Sequence, residues 1–599
     1  MKKILGLLAL AGVMTLAGCN TEEPNLPGDL GGDAQAYINV KVSMAGLSTR
    51  ADNTNNLDQD QDFAYGTDEE NAVKSLILGF YGATGDCLEL VTVPVTGGTS
   101  HSSGENVAVD EPVMVGVSDN TAKNATDLVA FVNVSFNDLV KDGTANKTLK
   151  EIRSTTLASY NPSNGFAMTN SGYYGTGYVN TTAVNSIDDE DNPSFYKIGG
   201  TPAEMVQIYV ERVAAKVALT TIGEVSDYPA YLADDTEVQL SFTPNTWGVQ
   251  ATSKESYLVK LNTIEEPAAW MKEGATNFRS YWATSWGYDK ENPVFLPSGD
   301  AEYKETLGET LLDYTAYGDL NNLITASGNT YASTAVDYVL ENTFPASRLN
   351  TEGKEGANVV AKLKYNPWSA VTSIVLAGTY TVTYGDDYEG EKSFEEGADF
   401  YLLPKAKLDP VEQKFKIVQQ ILTEAQAVDA MLALASYITN EDNTALTADD
   451  VNLETYYAGE NKENPANSRY LQLNENAEGT YKINGVSGKT VEDVNKELLK
   501  IGPAKLYAGG KAFFYIPLKH YYAAETSAQY LPLDEVVEGN YGIVRNNWYS
   551  LSVNKITGLG TGVGGEDDIP VPDPEEDAYA IDAVLNVLQW HMRNQSVDL

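Results

Sequence analysis

Apolar and polar side chains alternate with period two over much of this chain, and the alternating runs are separated by clusters of Gly, Asn, Asp and Ser. That is the pattern of short strands joined by turns. Residues 34–45 (AQAYINVKVSMA) are the first such run, with Ile38, Val40, Val42 and Met44 on one face and Tyr37, Asn39, Lys41 and Ser43 on the other. Strand character returns at 71–80, 91–95, 111–117 and 127–134, and 206–220 (VQIYVERVAAKVALT) is the longest run of the first half. Gly223, Pro229, Asp234 and Asp235 then interrupt the pattern, which places a domain boundary at 222/223. Beyond it, 237–243, 256–261, 358–365, 373–384, 511–518 and 548–556 read as strands. Two stretches have helical spacing instead. One runs over 411–437, with Phe415, Val418, Ile421, Leu422, Ala425, Val428, Met431, Leu432 and Ala435 on one face. The other covers 490–501, with Val491, Val494, Leu498 and Leu499 together. The apolar stripe of the first is expected to pack on a sheet rather than to serve as a partner-binding surface. The prediction is a mainly β chain of sandwich type with a few helices in its second half.

The two ends carry further patterns. Lys2 and Lys3 precede an apolar core over 4–16, too short to span a bilayer, and then Leu16, Ala17, Gly18 and Cys19. Small residues ahead of a cysteine at this place form a lipobox. Cleavage there leaves Cys19 as the lipidated N-terminus; an ordinary secretory signal with a chance cysteine is the other reading. A pro-segment over 20–50 follows. After the first alternating run comes a polar stretch around Arg50 and Ala51 (46–56), the kind of exposed loop that proteases cut or that simply turns at the surface. At the other end, 557–577 (TGLGTGVGGEDDIPVPDPEED) reads as an extended, solvated linker, part of a linker spanning 557–578. A final apolar segment, 579–599, lies beyond it. There Val587, Leu588, Trp590 and Met592 belong to a strand-like pattern, while Ile581, Val584, Leu585 and Leu588 also fit a helical turn. Such a segment either folds back on its own domain or docks on a neighbouring molecule.

Composition narrows the function. The 599 residues suggest two to four domains, at roughly 100–200 residues each. Eighty-four acidic residues against 40 basic ones give a net charge of −44, which repels phosphate backbones and anionic headgroups, so no nucleic-acid partner is expected. Two cysteines, Cys19 and Cys87, and three histidines, His101, His520 and His591, leave little for a zinc site or thiol chemistry. Ser487-Gly488-Lys489-Thr490 looks like the end of a phosphate-binding loop, but Ile483 stands where its first glycine is needed. Asp58, Asp60, Asp62 and Glu69 have calcium-loop spacing, but Phe63 occupies the turn position that needs glycine. No nucleophile elbow is present. Carboxylate pairs are uninformative among so many acids. We therefore expect no cofactor, no metal and no enzyme activity.

Several pieces together resemble the Mfa-type fimbrillins, the subunits of type V pili in Gram-negative anaerobes. The lipobox at 16–19 and the first strand with Thr49-Arg50-Ala51 are similar to the family's lipidated pro-segment and arginine cleavage site. Residues 210–217 (VERVAAKV) are similar to a strand of its N-terminal domain, and 544–556 (VRNNWYSLSVNKI) to the end strand of its C-terminal domain. Residues 573–599 are similar to its polymerising tail. The resemblance implies two transthyretin-like Greek-key β-sandwich domains, here 51–222 and 223–556, with helices inserted in the second. It implies a lipid-anchored precursor at the outer membrane whose strand bearing Ile38, Val40, Val42 and Met44 is removed by an Arg-specific protease cutting between Arg50 and Ala51. It implies, further, that the C-terminal strand with Val587, Leu588, Trp590 and Met592 fills the vacated groove of the next subunit. The implied partners are other copies of the chain, other fimbrial subunits and host or bacterial surface receptors, with membrane contact only through the precursor's lipid. Two other classes stay open: a tip adhesin or glycan-binding lipoprotein using the Tyr/Trp-rich residues 270–320, and a lipid-anchored hydrolase using carboxylates.

Overall fold

The structure is a computed structural model. It describes residues 34–44, 67–95, 113–141, 143, 145–160, 165–171, 180–260, 282–283, 285–286, 312–328, 330–343, 367–408, 414–455, 467–520, 531, 535–537, 539–572, 581–589 and 592–593. Cys19, Arg50, Ala51, Trp590 and the expected strand at 358–365 lie outside them.

The strands used below are numbered along the chain. The first seven are β1 Ala36–Met44, β2 Leu76–Gly82, β3 Cys87–Val93, β4 Val113–Val117, β5 Ala125–Val132, β6 Met168–Asn170 and β7 Val206–Arg212. They run in the order β3-β2-β5-β6-β7-β1-β4 in an eight-stranded sheet, whose eighth strand, Thr182–Ala183, pairs with β5 off that path. Apolar layers cover both faces. Ile38, Val40, Val42, Leu78, Phe80, Val115 and Ile208 pack on one, and Ile77, Tyr81, Val129, Phe131 and Ile152 on the other. Burial on both sides explains why β2 reads as a continuous apolar run rather than an alternating one.

The next strands are β8 Ala214–Val225, β9 Tyr228–Tyr231, β10 Glu237–Gln250, β11 Asp337–Leu340, β12 Ser373–Tyr384, β13 Phe400–Leu408 and β14 Phe415–Leu422. They are followed by β15 Ala504–Tyr507, β16 Lys511–Pro517, β17 Asn547–Ile556, β18 Thr561–Gly562, β19 Ile581–Gln589 and β20 Met592–Arg593. A nine-stranded sheet contains the order β11-β8-β17-β19-β20, and an eleven-stranded sheet contains β15-β13-β14-β9-β10-β12-β16-β18. Their facing sides share one core. Val217, Leu219, Leu551 and Val553 come from the first of these sheets, and Leu240, Phe242, Trp247, Leu376 and Phe514 from the second. The expectation of a mainly β chain holds; besides the helices of the second half, short ones also lie in the first, at Asp119–Asn124 and Leu149–Arg153.

Three differences from the sequence reading have physical causes. The run 206–220 is two strands, not one. At Val213 the chain leaves the first sheet, its N–H bonding Ala167 O at 2.9 Å, and β8 then pairs with β11 and β17. The crossing between sheets therefore comes ahead of the expected boundary at 222/223.

The helix expected over 411–437 begins only at Glu424. Phe415–Leu422 pairs residue for residue with β13. α1 (Glu424–Leu434) starts at an N-cap Thr423 whose hydroxyl accepts from Gln426 N–H, while the Gln426 side chain accepts from Thr423 N–H. The second helix, α2 (Val491–Leu498), has the same device at Thr490 and Asp493 and lies where the spacing placed it. Both helices cover the satellite core of Tyr401, Leu403, Met431, Leu471, Val494 and Leu498.

The third difference is the linker. Over 557–572 it is packed, not solvated. β18 pairs with β16, and Thr561 and Val563 are buried. Glycine makes the close approach possible: a Cβ on Gly562 would lie 2.3 Å from Leu506 O, and one on Gly560 2.5 Å from Phe513 O.

Candidate functional site

β1 is an inner strand. On one side it runs parallel to β7, Val40 opposite Val206 through Met44 opposite Val210. On the other it runs antiparallel to β4, Ala36 opposite Val117 through Val40 opposite Val113. The alternation read from sequence sets its faces: Ile38, Val40 and Val42 are each at most 2 % exposed and point into the core. Met44 closes the register with β7. On the reverse face Tyr37 exchanges backbone hydrogen bonds with Tyr196, at 2.8 and 2.9 Å, and Asn39 accepts from Tyr196 OH at 3.0 Å. Gln207 Nε2 donates to Lys41 O at 3.2 Å. Burying Ile38, Val40 and Val42 contributes about 5–9 kcal/mol together, at roughly 1.5–3 kcal/mol each. Val40 and Val42 also line an apolar seam with Leu76, Leu78, Val93, Val113 and Val115, where the two end strands β3 and β4 approach each other.

The C-terminal segment, ambiguous in sequence, is a strand. β19 lies antiparallel on β17, from Ile581 opposite Ile556 to Gln589 opposite Asn547. Val587 and Leu588 then pair back with Arg593 and Met592 in β20. In the single molecule the tail is therefore folded back on its own domain.

Between these strands is a buried ionic cluster that no motif announced. Glu70 closes the capping box of the turn Asp68–Asn71. Its Oε1 accepts from Lys216 Nζ at 2.7 Å and from Tyr338 OH. Burial by itself pushes the Glu70 carboxyl up. The bonds from Lys216 and Tyr338 and the Lys216 charge outweigh that and hold it below the usual carboxylate range. Lys216 Nζ also lies 4.3 Å from the centre of the Trp548 ring. Arg212 is buried at the end of β7 and donates to Glu70 O at 3.1 Å, Asn546 Oδ1 at 3.1 Å and Asn71 Oδ1. A second group adjoins it. Arg545 Nε meets Glu341 Oε2 at 3.2 Å, and Lys260 Nζ lies 3.6 Å from Glu211 and 3.7 Å from Glu341. Burial pulls the Lys260 amine down, and the two carboxylates partly restore it. These groups tie the end of the first sheet to the start of β8 and to the turn ahead of β17. The available signal was weak but real: Glu211, Arg212, Lys216 and Arg545 stand inside apolar runs, where a charge needs a partner.

His520 Nδ1 lies 2.7 Å from Tyr549 OH, which also accepts from Val544 N–H, so it is a packing group here. Among the described residues no cluster of three or more His, Cys, Asp or Glu is placed to hold a metal ion, and no helix is long and apolar enough to cross a membrane.

Comparison with known proteins gives one family match. Residues 505–596, from β15 to the tail, match the C-terminal fimbrillin family described as "Major fimbrial subunit protein type IV". No curated protein matches the sequence. Among solved structures, a putative cell adhesion protein from Parabacteroides distasonis is 12% identical, with 92% of this chain and 100% of that one covered at a TM-score of 0.36. A fimbrilin from Porphyromonas gingivalis is 14% identical over 93% and 99%, at 0.33. A C-terminally truncated tip fimbrial protein from Porphyromonas gingivalis is 12% identical over 64% and 98%, at 0.25. TM-scores this low carry no weight by themselves, whereas the family match covers β17, the packed segment and the tail. The resemblance to the Mfa-type fimbrillins holds, carried by the similarity of residues 505–596 to the C-terminal fimbrillin model.

Proposed function

We propose that this chain is a structural subunit of a type V fimbria, placed in the shaft, and that it polymerises by protease-triggered donor-strand exchange and supports adhesion at the cell surface. The observation that carries the reading is β1: an inner strand that buries Ile38, Val40 and Val42 and ends, in sequence, a few residues ahead of the polar stretch with Arg50 and Ala51. Loss of such a strand leaves two unpaired backbone edges, on β7 and β4, and a bare apolar groove, which is a template for another strand. The tail with Val587, Leu588, Trp590 and Met592 is the candidate filler. Of it, residues 581–589 are a strand already, lying on one side of β17 and otherwise meeting, among the described residues, only β20. Cys19 would hold the precursor at the outer membrane until an Arg-specific protease cuts. The two transthyretin-like domains belong to the same reading, and so do a purely structural role and partners among other fimbrial subunits.

Electron microscopy of a soluble precursor beginning at residue 20, before and after limited trypsin treatment, tests this beside a sample lacking residues 579–599. Filaments should need both the cut at Arg50 and the tail. Monomers throughout, despite a clean cut, would refute strand exchange and favour a tip adhesin.

A further inference from the structure

β1 and β19 carry the same short pattern. Residues 36–40 read AYINV and residues 583–587 read AVLNV: Ala, Asn and Val recur at the same spacing, and Leu stands for Ile. In β1 each of these positions has its own surroundings. Ala36 and Ile38 are fully buried and Val40 is 2% exposed, all on the core face. Asn39, on the reverse face, accepts from Tyr196 OH at 3.0 Å. Tyr37 exchanges backbone hydrogen bonds with Tyr196, which any residue but proline can do. In β19 the faces are assigned alike. Ala583, Leu585 and Val587 stand opposite Val553, Leu551 and Tyr549, which are buried in the core of their own sheet, and Asn586 stands opposite Ser550.

We propose that residues 583–587 are a replica of 36–40, and that the tail of a second copy enters the vacated groove parallel to β7 in that one register. Ala583 then takes the place of Ala36, Leu585 that of Ile38, Asn586 that of Asn39 and Val587 that of Val40. The inference rests on the strand-exchange reading and adds orientation and register to it. Sliding the tail by two residues sets Val584 or Leu588 at the place of Asn39, and Tyr196 OH loses its acceptor. Sliding it by four sets Tyr579 at the place of Ala36, or Gln589 at that of Ile38. Turning the other face inward brings Asp582, Asn586 or Trp590 to the place of Ile38 or Val40. Reversing the strand, with Asn586 still at the Tyr196 hydroxyl, brings Gln589 to the place of Ala36. The proposed register has one departure on the buried face: Gln589 falls at the place of Val42. That position lies beyond Val40, the last residue of β1 paired with β4, and is flanked by β7.

The test uses the precursor beginning at residue 20 with Cys87→Ser, cut at Arg50 as above. Lys41 stands opposite Gln207 in the intact sheet, so the register predicts Leu588 of one copy opposite Gln207 of the next. Neighbouring strands lie about 4.8 Å apart, within the span of a disulfide. Gln207→Cys with Leu588→Cys should give disulfide-linked multimers on mild oxidation. Gln207→Cys with Val584→Cys, the pair for a slide of four, should give at least about tenfold fewer, the factor for a register worse by one unpartnered or misfitted group. Asn586→Leu should lower the yield about fivefold, the factor carried by one hydrogen bond, and should lower it no further in a Tyr196→Phe chain. Gln589→Val should raise the yield severalfold, because an apolar side chain then takes the place of Val42. Uncut variants that melt where the wild type does exclude misfolding as the cause. Filaments linked through Val584→Cys rather than Leu588→Cys, filaments with neither link, or no gain from Gln589→Val would overturn the register while strand exchange stands. A disulfide closed within one chain, or monomers throughout despite a clean cut, would overturn it together with strand exchange.

Discussion

Replacing Lys216 with methionine removes one charge from the junction and leaves the Glu70 carboxylate buried without the cation that bonds its Oε1, with only Arg212, held on its backbone oxygen, nearby. Glu70 is 2% exposed, so water cannot take over. Tyr338 OH and Thr67 N–H still donate to it, but neither carries charge. Breaking a buried pair from one side costs about 3–5 kcal/mol. For a cooperative unit of roughly 150–250 residues that is a fall of about 6–20 °C in melting temperature. Glu70→Gln should cost less. Glutamine keeps the cap on Thr67, and Lys216 still faces the Trp548 ring. The double variant Glu70→Gln/Lys216→Met removes both charges of the pair and should recover part of the loss, with a coupling energy of about 2–3 kcal/mol, the remainder falling on buried Arg212, whose charge Glu70 also offsets. Scanning calorimetry of the wild type, both single variants and the double variant measures this, because a chain with several sheets need not melt in one step. A Lys216→Met shift under about 2 °C, or a double variant whose loss equals the two single losses added, would refute the reasoning. Acid should act the same way. The folded Glu70 carboxyl is held low, so its contribution is full above the ordinary glutamate range and is lost as pH falls below it.

Val40→Asp puts a carboxylate into the core face of β1 and should cost the precursor more than about 3 kcal/mol by calorimetry, yet leave the chain cut at Arg50 and stripped of β1 unchanged. An equal loss in the cut chain would show that β1 stays. Gly562→Val should free the segment 557–572 for proteolysis, at about 1–3 kcal/mol, since its Cβ would meet Leu506 O; unchanged protection would refute the packing argument. Burial pulls the Lys519 amine down to about 7. Between there and the usual 10.5 the unfolded chain holds a proton that the folded one lacks, so this residue's contribution to stability rises with pH across that window. Isotope-edited NMR of the reductively methylated lysine should find the midpoint near neutrality, and one above 10 would refute it.

Legibility in the sequence followed exposure. β1, β12 and β17 were visible because period-two alternation marks strands with one buried face or a clear edge in composition. β14 was misread because Phe415, Val418, Ile421 and Leu422 also satisfy helical spacing; the distinguishing sign was Thr423 with Gln426, a cap that can only begin a helix there. The linker was misread because Gly and acidic residues are compatible both with solvated chain and with backbone lying flush on a sheet. Here Gly560 and Gly562 serve the second use. The ionic cluster was hidden for another reason. Glu70, Lys216 and Tyr338 come from distant parts of the chain, and pairing across such separations leaves no local pattern.

The two terminal strands are held in ways that differ by topology, and the difference bears on which of them can leave. β19 sits on one side of β17 and otherwise meets its own hairpin partner β20, so it can peel from the sheet edge without separating any other pair of strands. β1 is bonded on both sides and buries Ile38, Val40 and Val42, so its departure separates β7 from β4 and exposes a core face. While the chain is continuous, β1 would return to its groove at the effective concentration of a tethered segment rather than that of a free one. On the proposed reading, the cut at Arg50 falls beyond Met44, the last residue of β1. It removes that tether and makes rebinding of the freed segment bimolecular, so a dilute solution no longer replaces β1 once it has dissociated. A neighbour's strand presented at high local concentration then competes for the groove on equal or better terms. On the proposed function cleavage would thus act through concentration rather than through strain, and an edge-held tail is the kind of strand able to exploit the vacancy.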